Sequence, residues 1–366
     1  MSGADPYAGS HIVIAGGGTG GHLFPGVALA EALVGRGGRV TFVGTAAGIE
    51  VRAVPAAGFA LRLIPGAQVR GGGAVRAVRG LAATAIGVGR ALALLRELRP
   101  ALVVGVGGYA WVAVVLAARL RRTPILLLEQ NTVPGVASRT LGRLAGRICL
   151  GFAEAARFFP PGRSLHTGNP VRAGILATPA VAHDTPGLLV FGGSQGARRL
   201  NDAMLQAAQR LGPSLAGVRI RHQTGAADHE RVAAGWARLG GSVRVEPFVV
   251  DMGSAYAEAD LVIARAGAMS CAEITARGLP AILVPYPHAA DDHQRHNAEV
   301  LVAAGAAQMI LDRDLDGERL ATVLGSLVGD AARRANMARA SRGVGHPEAA
   351  ERVAAACAAL IRDAGP

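Results

Sequence analysis

The chain has 366 residues, 51% of them hydrophobic and 17% charged, so it is long enough for about two globular domains and too apolar to be disordered. All 38 basic residues are arginine, which excludes every mechanism that requires a lysine, such as a Walker A phosphate loop or a Schiff base. The formal net charge is +12, but no nucleic-acid-reading motif accompanies it, so we expect no nucleic-acid partner.

Cysteine usage and the N-terminus indicate the compartment. Cys149, Cys271 and Cys357 lie far apart in the sequence and form no CxxC pair, which is typical of a reduced, cytoplasmic protein. Residues 1–10 have no signal-peptide pattern, so we expect no export.

One uncharged segment has the minimum length of a membrane span. It runs for 18 residues from Ala101 to Ala118, but Gly105, Gly107 and Gly108 interrupt it. We therefore predict a buried strand at residues 101–106 and a helix at residues 110–120 in place of a span.

Four short apolar runs are each followed by a glycine-rich turn and a helical stretch. They are His11–Ala15, Ala101–Val106, Gly187–Phe191 and Asp260–Ala264. This order predicts buried parallel strands joined by crossover helices. The first of these helices is predicted at Pro25–Gly35.

The pattern divides into two similar halves. Residues 102–128 and 261–284 both read strand, glycine turn, helix, proline, strand, which predicts an α/β fold with two Rossmann-like, doubly wound parallel-sheet domains facing across a cleft. With Thr178–Pro186 as the linker, the predicted domains are residues 1–178 and 179–346. Residues 347–366, with a helix at Glu348–Arg362, are predicted to pack back toward the N-terminal domain.

The first glycine turn, Gly16 to Gly21, matches the dinucleotide-binding pattern GxGxxG. That fingerprint also requires an acidic residue at the end of the second strand, to bind a ribose. The predicted strand Arg39–Val43 lacks one, and the first acid, Glu50, comes later. The missing acid argues against a nicotinamide-dependent Rossmann enzyme, which we keep only as an alternative interpretation of this turn.

Five motifs occur along the chain in a recognisable order. They are Gly16–Gly26, Glu129–Asn131, Gly168–Arg172, Gly192–Ala197 and Ala266–Glu273. Together they resemble the MurG family, the bacterial N-acetylglucosamine transferases of peptidoglycan synthesis, which have the GT-B fold. The resemblance extends from about Ile12 to Ala350 and covers nearly the whole chain.

The resemblance implies an inverting glycosyltransferase. The family moves N-acetylglucosamine (GlcNAc) from UDP-GlcNAc to the C4 hydroxyl of the MurNAc-pentapeptide of lipid I, an undecaprenyl-diphosphate-linked sugar. The products are lipid II and UDP. Another GT-B transferase that uses a UDP-sugar is the alternative within the same fold.

The resemblance also implies that the C-terminal half binds UDP-GlcNAc. The matching positions are Arg172, Ser194, Val249, Ala268, Met269, Ser270, Cys271, Ala272, Glu273 and Gln294. The turn at Ala268 opens a helix, so its backbone amides suit a diphosphate. The carboxylate of Glu273 suits the two ribose hydroxyls, and Val249 is expected to read uracil through its backbone.

From the N-terminal half, the resemblance implies four residues near the donor sugar and the acceptor: Thr19, Gly20, Gly21 and Asn131. His22 is the leading candidate for the catalytic base, because an imidazole titrates near neutral pH. Glu129 is the rival base or the residue that orients the base. Tyr109 is a candidate acceptor contact.

Residues 288–297 contain three histidines and two aspartates, a composition found in metal sites. The resemblance implies no protein-held metal and no required cofactor. Magnesium is expected only as a companion of the diphosphate.

The family's acceptor has a polyprenyl tail, which implies a peripheral protein on the cytoplasmic face of the cell membrane. Residues 69–98 are apolar with interleaved arginines and form the candidate surface for anionic lipids. A solvated helix face with an apolar core side is the alternative interpretation. The resemblance also implies the cell-wall and division machinery as candidate partners.

Overall fold

The structure, a computed structural model, describes residues 7–65, 74–108, 110–193, 196–240 and 243–365, with only the backbone for 74–83. The chain forms two compact units, Met1–Arg172 with Glu348–Pro366, and Ala173–Pro347. The division falls after Arg172 and not after residue 178, because the helix Ala173–Ala177 packs against the helix Met252–Ala257 of the second unit.

The first unit is built on a seven-stranded parallel sheet. Its strands are β1 His11–Gly16, β2 Arg39–Gly44, β3 Ala60–Leu63, β4 Leu102–Gly107, β5 Ile125–Glu129, β6 Arg147–Leu150 and β7 Ser164–His166. Their spatial order is β3-β2-β1-β4-β5-β6-β7. The crossover helices are α1 Gly20–Val34, α2 Glu50–Ala56, α3 Ala74–Leu98, α4 Trp111–Leu120 and α5 Val136–Leu141.

The second unit has a six-stranded parallel sheet in the order β10-β9-β8-β11-β12-β13. Its strands are β8 Gly187–Phe191, β9 Arg219–Gln223, β10 Val243–Glu246, β11 Leu261–Ala264, β12 Ala281–Leu283 and β13 Ala307–Met309. Its helices are α6 Ala173–Ala177, α7 Arg198–Leu211, α8 His229–Leu239, α9 Met252–Ala257, α10 Ala268–Ala276, α11 His293–Ala303, α12 Gly317–Val328 and α13 Ala331–Val344.

The four strands predicted before glycine-rich turns are confirmed as β1, β4, β8 and β11, and the predicted strand Arg39–Val43 is confirmed as β2. The predicted start of the first helix at Pro25 is wrong, because α1 already begins at Gly20 after the extended residue Thr19. Pro25 lies inside α1, where Leu23, Pro25 and Val27 are buried in the core. This burial keeps the helix continuous although proline removes one backbone donor.

The uncharged segment after residue 100 folds as β4 and α4, as the glycine interruption predicts. In the part of the chain that the structure describes, no helix is long and apolar enough to span a membrane.

The last helix, α14 (Ala349–Asp363), belongs to the first unit and packs against α1. Val353, Ala354 and Cys357 are buried in the same core as Leu29 and Leu33 of α1. The hydroxyl of Tyr7 donates to the carbonyl of Ala354. The apolar contact with α1 therefore holds the C-terminus of the chain on the N-terminal unit.

A buried polar network lies beneath the second sheet. The indole N–H of Trp236 on α8 donates to Nδ1 of His222 on β9 at 3.0 Å, and Nε2 of His222 lies 3.1 Å from Oδ1 of Asn201. Because an indole can only donate, Nδ1 is the acceptor and Nε2 has the proton. Burial lowers the pKa of His222 to about 4, so the folded protein holds a neutral imidazole.

We predict that the free energy of unfolding of the second unit falls as the pH is lowered from 6.5 to about 4. Unfolded His222 binds a proton below 6.5 whereas the folded ring does not until about 4, so acid favours unfolding. The loss is up to about 1.4 kcal/mol per pH unit.

Urea unfolding of a Trp111→Phe variant measures this dependence, because the remaining tryptophan, Trp236, then reports on the second unit. The same variant with His222→Gln is the control and should have a shallower pH dependence between 4 and 6.5. Equal slopes in the two proteins would contradict the prediction.

Candidate functional site

The candidate residues lie at the carboxyl edge of each sheet, where strands end and helices begin. In the first unit they follow β1 and β5, and in the second unit they follow β10, β11 and β12. Parallel sheets bind ligands at this edge. Two predicted residues, Tyr109 and Ser194, lie outside the described residues, so their assignments stay predictions.

The first glycine loop holds the candidate base. Thr19 is the extended residue before α1, and its Oγ1 lies 3.2 Å from Nδ1 of His22. Gly107, with φ +99°, ends β4 beside the imidazole, and a Cβ there would lie only 2.6 Å from Cδ2 of His22. The hydroxyl and the bare glycine backbone therefore fix the orientation of the ring. Gly20 and Gly21 form the first turn of α1, where backbone N–H groups have no partner within the helix.

Glu129 is the last residue of β5 and is only 4% exposed. Its Oε1 accepts the backbone N–H of Asn131 at 3.0 Å. Burial raises the pKa of Glu129, and hydrogen bonds from Ser138 and Asn131 partly oppose that shift. The carboxyl therefore keeps its proton to higher pH than an exposed one does.

Neighbouring amides hold the loop after β5 in place. The side-chain amide of Gln130 donates to the carbonyl of Val106 at 3.1 Å. The amide of Asn169 in turn donates to the carbonyl of Gln130 at 2.9 Å. The motifs Glu129–Asn131 and Gly168–Arg172, which are distant in sequence, thus meet at one edge of the first sheet.

Arg172 is the last residue of the first unit. Its guanidinium carbon lies 4.5 Å from the ring centroid of Phe24 on α1, in a cation–π contact. The side chain of this arginine therefore packs against α1, the helix that follows the first glycine loop. Its predicted role toward the donor diphosphate stays a prediction.

In the second unit, α10 begins directly after the turn that follows β11. Gly267 precedes the helix in an extended conformation and has no side chain to cap it. The first intrahelical bond in this turn runs from the N–H of Cys271 to the carbonyl of Gly267 at 2.9 Å. The N–H groups of Ala268, Met269 and Ser270 therefore lie at a helix N-terminus and suit an anion.

The side chain of Cys271 does not contribute to such a site. It is fully buried, and burial raises the pKa of its thiol to about 12. The neighbouring Met269 is also buried, whereas Ser270 and Ala272 are half-buried. Of the predicted α10 residues, the first three therefore offer backbone amides, and Glu273 offers a carboxyl side chain.

Glu273 lies one turn inside α10 and is buried. Its Oε2 accepts the hydroxyl of Tyr256 on α9 at 3.0 Å. The ring of Tyr256 packs edge-on against Phe191 at the end of β8, with centroids 6.1 Å apart. Tyr256 thus fixes one oxygen of the carboxylate from the side of the sheet.

Gln294 on α11 is tied to the loop after β12, because its Oε1 accepts the backbone N–H of Tyr286 at 3.0 Å. One turn further along α11, the amide of Asn297 donates to the carbonyl of Ala266 at 3.3 Å. These two contacts hold α11 beside the turn that opens α10. Val249 is buried in the loop after β10, between the exposed side chains of Phe248 and Val250.

The histidine-rich segment 288–297 does not form a cluster of metal ligands. His293 Nδ1 donates to the carbonyl of Ala290 at 2.7 Å, and His296 Nδ1 lies 2.9 Å from Glu299. Across the ranges that the structure describes, no group of three or more histidine, cysteine, aspartate or glutamate side chains is placed to hold a metal ion.

The sequence alone predicts no role for three residues that organise these loops: Tyr256, Asn297 and Glu50. Each acts on a partner in another loop or helix, at a separation of 17, 31 or 32 residues. No local motif marks such pairs, although an acid or amide close to a glycine turn is a usable signal.

Two family models match the chain. The N-terminal domain of glycosyltransferase family 28 matches residues 12–150, and the C-terminal domain of the same family matches residues 187–353. These ranges contain the first glycine loop and α10, respectively.

Two curated relatives have the name UDP-N-acetylglucosamine–N-acetylmuramyl-(pentapeptide) pyrophosphoryl-undecaprenol N-acetylglucosamine transferase. The one from Pelobacter propionicus is 46% identical over 345 residues, covering 87% of this chain and 91% of the relative. The one from Anaeromyxobacter sp. (strain Fw109-5) is 46% identical over 356 residues, covering 96% and 93%.

The crystal structure of Acinetobacter baumannii MurG is similar over almost the whole chain. Its TM-score is 0.75 at 32% sequence identity, and the match covers 97% of this chain and 99% of that one. The chain therefore belongs to the MurG group of family 28 glycosyltransferases, and its two α/β domains have the GT-B fold.

Proposed function

We propose that the protein transfers GlcNAc from UDP-GlcNAc to the C4 hydroxyl of the MurNAc-pentapeptide of lipid I, giving lipid II and UDP. The names of the curated relatives specify this donor and this acceptor. The observation that carries the proposal is the start of α10, where three backbone N–H groups and the buried Glu273 lie together.

The donor is proposed to bind along this turn. The N–H groups of Ala268, Met269 and Ser270 receive the diphosphate, with the positive end of the helix dipole behind them. Glu273 accepts hydrogen bonds from the ribose, and the backbone of Val249 reads uracil. Gln294 binds sugar hydroxyls, while Arg172 and Ser194 are further proposed contacts of the diphosphate.

In the proposed reaction the acceptor hydroxyl attacks C1 of GlcNAc, the bond from C1 to the diphosphate breaks, and UDP leaves. His22 is the favoured base, because its ring is half-buried and Thr19 orients it. Glu129 is buried and its Oε1 already accepts an N–H, which suits an orienting role. No protein-held metal is part of the proposal, and magnesium would accompany the diphosphate.

We further propose a peripheral location on the cytoplasmic face of the membrane, where the polyprenyl acceptor resides. Apolar side chains are exposed on α3 and α4, which pack together: Ile86 is 59% exposed and Leu120 is 68% exposed. Arg90 is exposed on α3, and Arg121 is exposed directly after α4. Apolar and cationic groups together suit anionic lipids.

The activity is tested by measuring UDP released from UDP-GlcNAc with and without a short-chain lipid I analogue. We expect release only when both substrates are present. Other UDP-sugars serve as controls for the alternative GT-B transferase. Saturable NAD(P) binding without release of UDP would support the nicotinamide alternative and overturn the proposal.

Replacing His22 with alanine is expected to lower kcat about 10²- to 10⁴-fold, because the acceptor hydroxyl loses its base. KM for UDP-GlcNAc should stay the same, because the proposed donor contacts on α10 are intact. The control is His183→Ala in the exposed segment before β8. A near-normal kcat for the His22 variant would reject the base role.

The Tyr256 hydroxyl is expected to contribute to nucleotide binding only through Glu273. Tyr256→Phe should weaken UDP binding about 3- to 10-fold by calorimetry, the usual worth of one hydrogen bond. In a Glu273→Ala background, which itself raises the donor KM, the same change should have no effect.

Dideoxy-UDP, which lacks both ribose hydroxyls, is the control ligand for these variants. Tyr256→Phe should not change the affinity of the protein for it. If Tyr256→Phe lowered the affinity equally with and without Glu273, or equally for UDP and dideoxy-UDP, Tyr256 would not act through the contact between the Glu273 carboxylate and the ribose.

A further inference from the structure

Glu50 is a buried carboxylate without a role in the proposed chemistry. It is the first residue of α2 and only 1% exposed. Its Oε2 accepts the N–H of Gly18 at 2.7 Å, and its Oε1 accepts the N–H and the hydroxyl of Thr45 at 2.9 and 3.1 Å. A single side chain thus connects the loop after β1 with the loop after β2.

Three glycines form the space that this carboxylate fills. A Cβ at Gly17 would lie 2.5 Å from Cδ of Glu50, one at Gly44 would lie 2.6 Å from Cγ, and one at Gly48 would lie 1.9 Å from Oε2. Gly17 also has φ +146°, a conformation that side chains disfavour. The two loops are therefore built closely around the carboxylate.

This arrangement explains why a GxGxxG pattern occurs without the acid of a dinucleotide site. In that motif the glycine amides face a bound phosphate. Here the N–H of Gly18 faces a carboxylate of the protein itself, so an internal anion satisfies it. In this loop Gly17 allows the close approach of Glu50, and Gly16 allows that of the Gly107 backbone.

The anchored segment leads directly to the candidate base. The N–H of Gly17 donates to the carbonyl of Gly107 at 3.1 Å, and the N–H of Gly18 donates to Glu50. The next residue is Thr19, whose hydroxyl contacts His22. Two consecutive anchors therefore fix the backbone that determines where the imidazole lies.

We infer that Glu50 is a positioning residue of the transferase: its carboxylate holds the first glycine loop so that Thr19 and His22 are aligned for proton transfer. This inference rests on the proposed function only in taking His22 as the base. It assigns Glu50 no contact with either substrate.

The first test is Glu50→Gln, which keeps the volume of the side chain. Its NH₂ group cannot accept a hydrogen bond, so one of the backbone N–H groups that now donate to Glu50 loses its acceptor. We expect kcat to fall about 10- to 100-fold, the cost of a misplaced catalytic group. KM for UDP-GlcNAc should change less than about twofold, because the proposed α10 contacts are intact. A wild-type kcat would overturn the inference.

Asp260→Asn is the matched control. The carboxylate of Asp260 also accepts a glycine N–H, that of Gly187 at 2.7 Å, but it does so in the second unit, at the amino end of β8. This variant should retain kcat within about twofold, since it leaves the proposed machinery intact. If Asp260→Asn lowered kcat as much as Glu50→Gln does, loss of any hydrogen bond between a carboxylate and a glycine N–H would have this effect. That result would contradict a specific role for Glu50.

A second variant separates positioning from folding. Glu50→Ala leaves a space bordered by Gly17, Gly44 and Gly48 that a small carboxylate can enter. Formate should raise kcat of this variant several-fold over chloride at equal ionic strength. It should not raise kcat of Glu50→Gln, whose side chain still fills the space. Absence of rescue by formate would count against the inference.

Amide exchange tests the contact without any turnover. In Glu50→Gln the N–H of Gly18 should exchange faster, whereas that of Gly17, bonded to Gly107, should not change. Unchanged exchange at Gly18 would overturn the inference. If the wild-type protein released no UDP, the proposed function would fail, and the exchange result would still decide whether Glu50 holds the loop.

Discussion

A parallel sheet covered by helices on both faces leaves only its edges for chemistry. In this protein β1, β5, β8 and β11 are buried along their whole length, so their side chains form core, with the exception of Glu129 at the carboxyl end of β5. At the carboxyl edge, each following helix begins with N–H groups that lack partners within the helix. The function of each loop depends on which acceptors reach these groups and the N–H groups of the turn before the helix.

The loops after β1 and β11 differ in this respect. After β1, the carboxylate of Glu50 accepts the N–H of Gly18, and the glycines allow a close approach of the protein to itself. After β11, the turn leads directly into α10, and the buried carboxylate on that helix, Glu273, accepts the hydroxyl of Tyr256. We therefore propose that similar glycine turns hold a base in one unit and favour a phosphate in the other.

Much of this architecture could be predicted from the sequence. Apolar runs before glycine turns predict β1, β4, β8 and β11, since fully buried strands need continuous apolar residues and tight turns need glycine. The predicted start of α1 at Pro25 is wrong because the preference of proline for the first turn of a helix is only a local rule. Burial of Leu23 and Val27, a tertiary effect, decides the outcome.

The site was predictable in outline only. Its loops follow from the carboxyl-edge rule and its residue roles from the family resemblance. The contacts of Glu50 and Tyr256 depend on side chains meeting across 32 and 17 residues of sequence. No periodicity encodes such meetings. The stacking of Arg172 on Phe24 is likewise a product of packing, not of the motif that contains it.

The proposed binding site places the nucleotide at the start of α10 and not at the first glycine loop. Hydrogen exchange of the whole chain with and without UDP-GlcNAc tests this most directly. We expect slower exchange at residues 268–270 and unchanged exchange at Gly17 and Gly18. Protection of the loop at residues 16–21, with none at the start of α10, would contradict it.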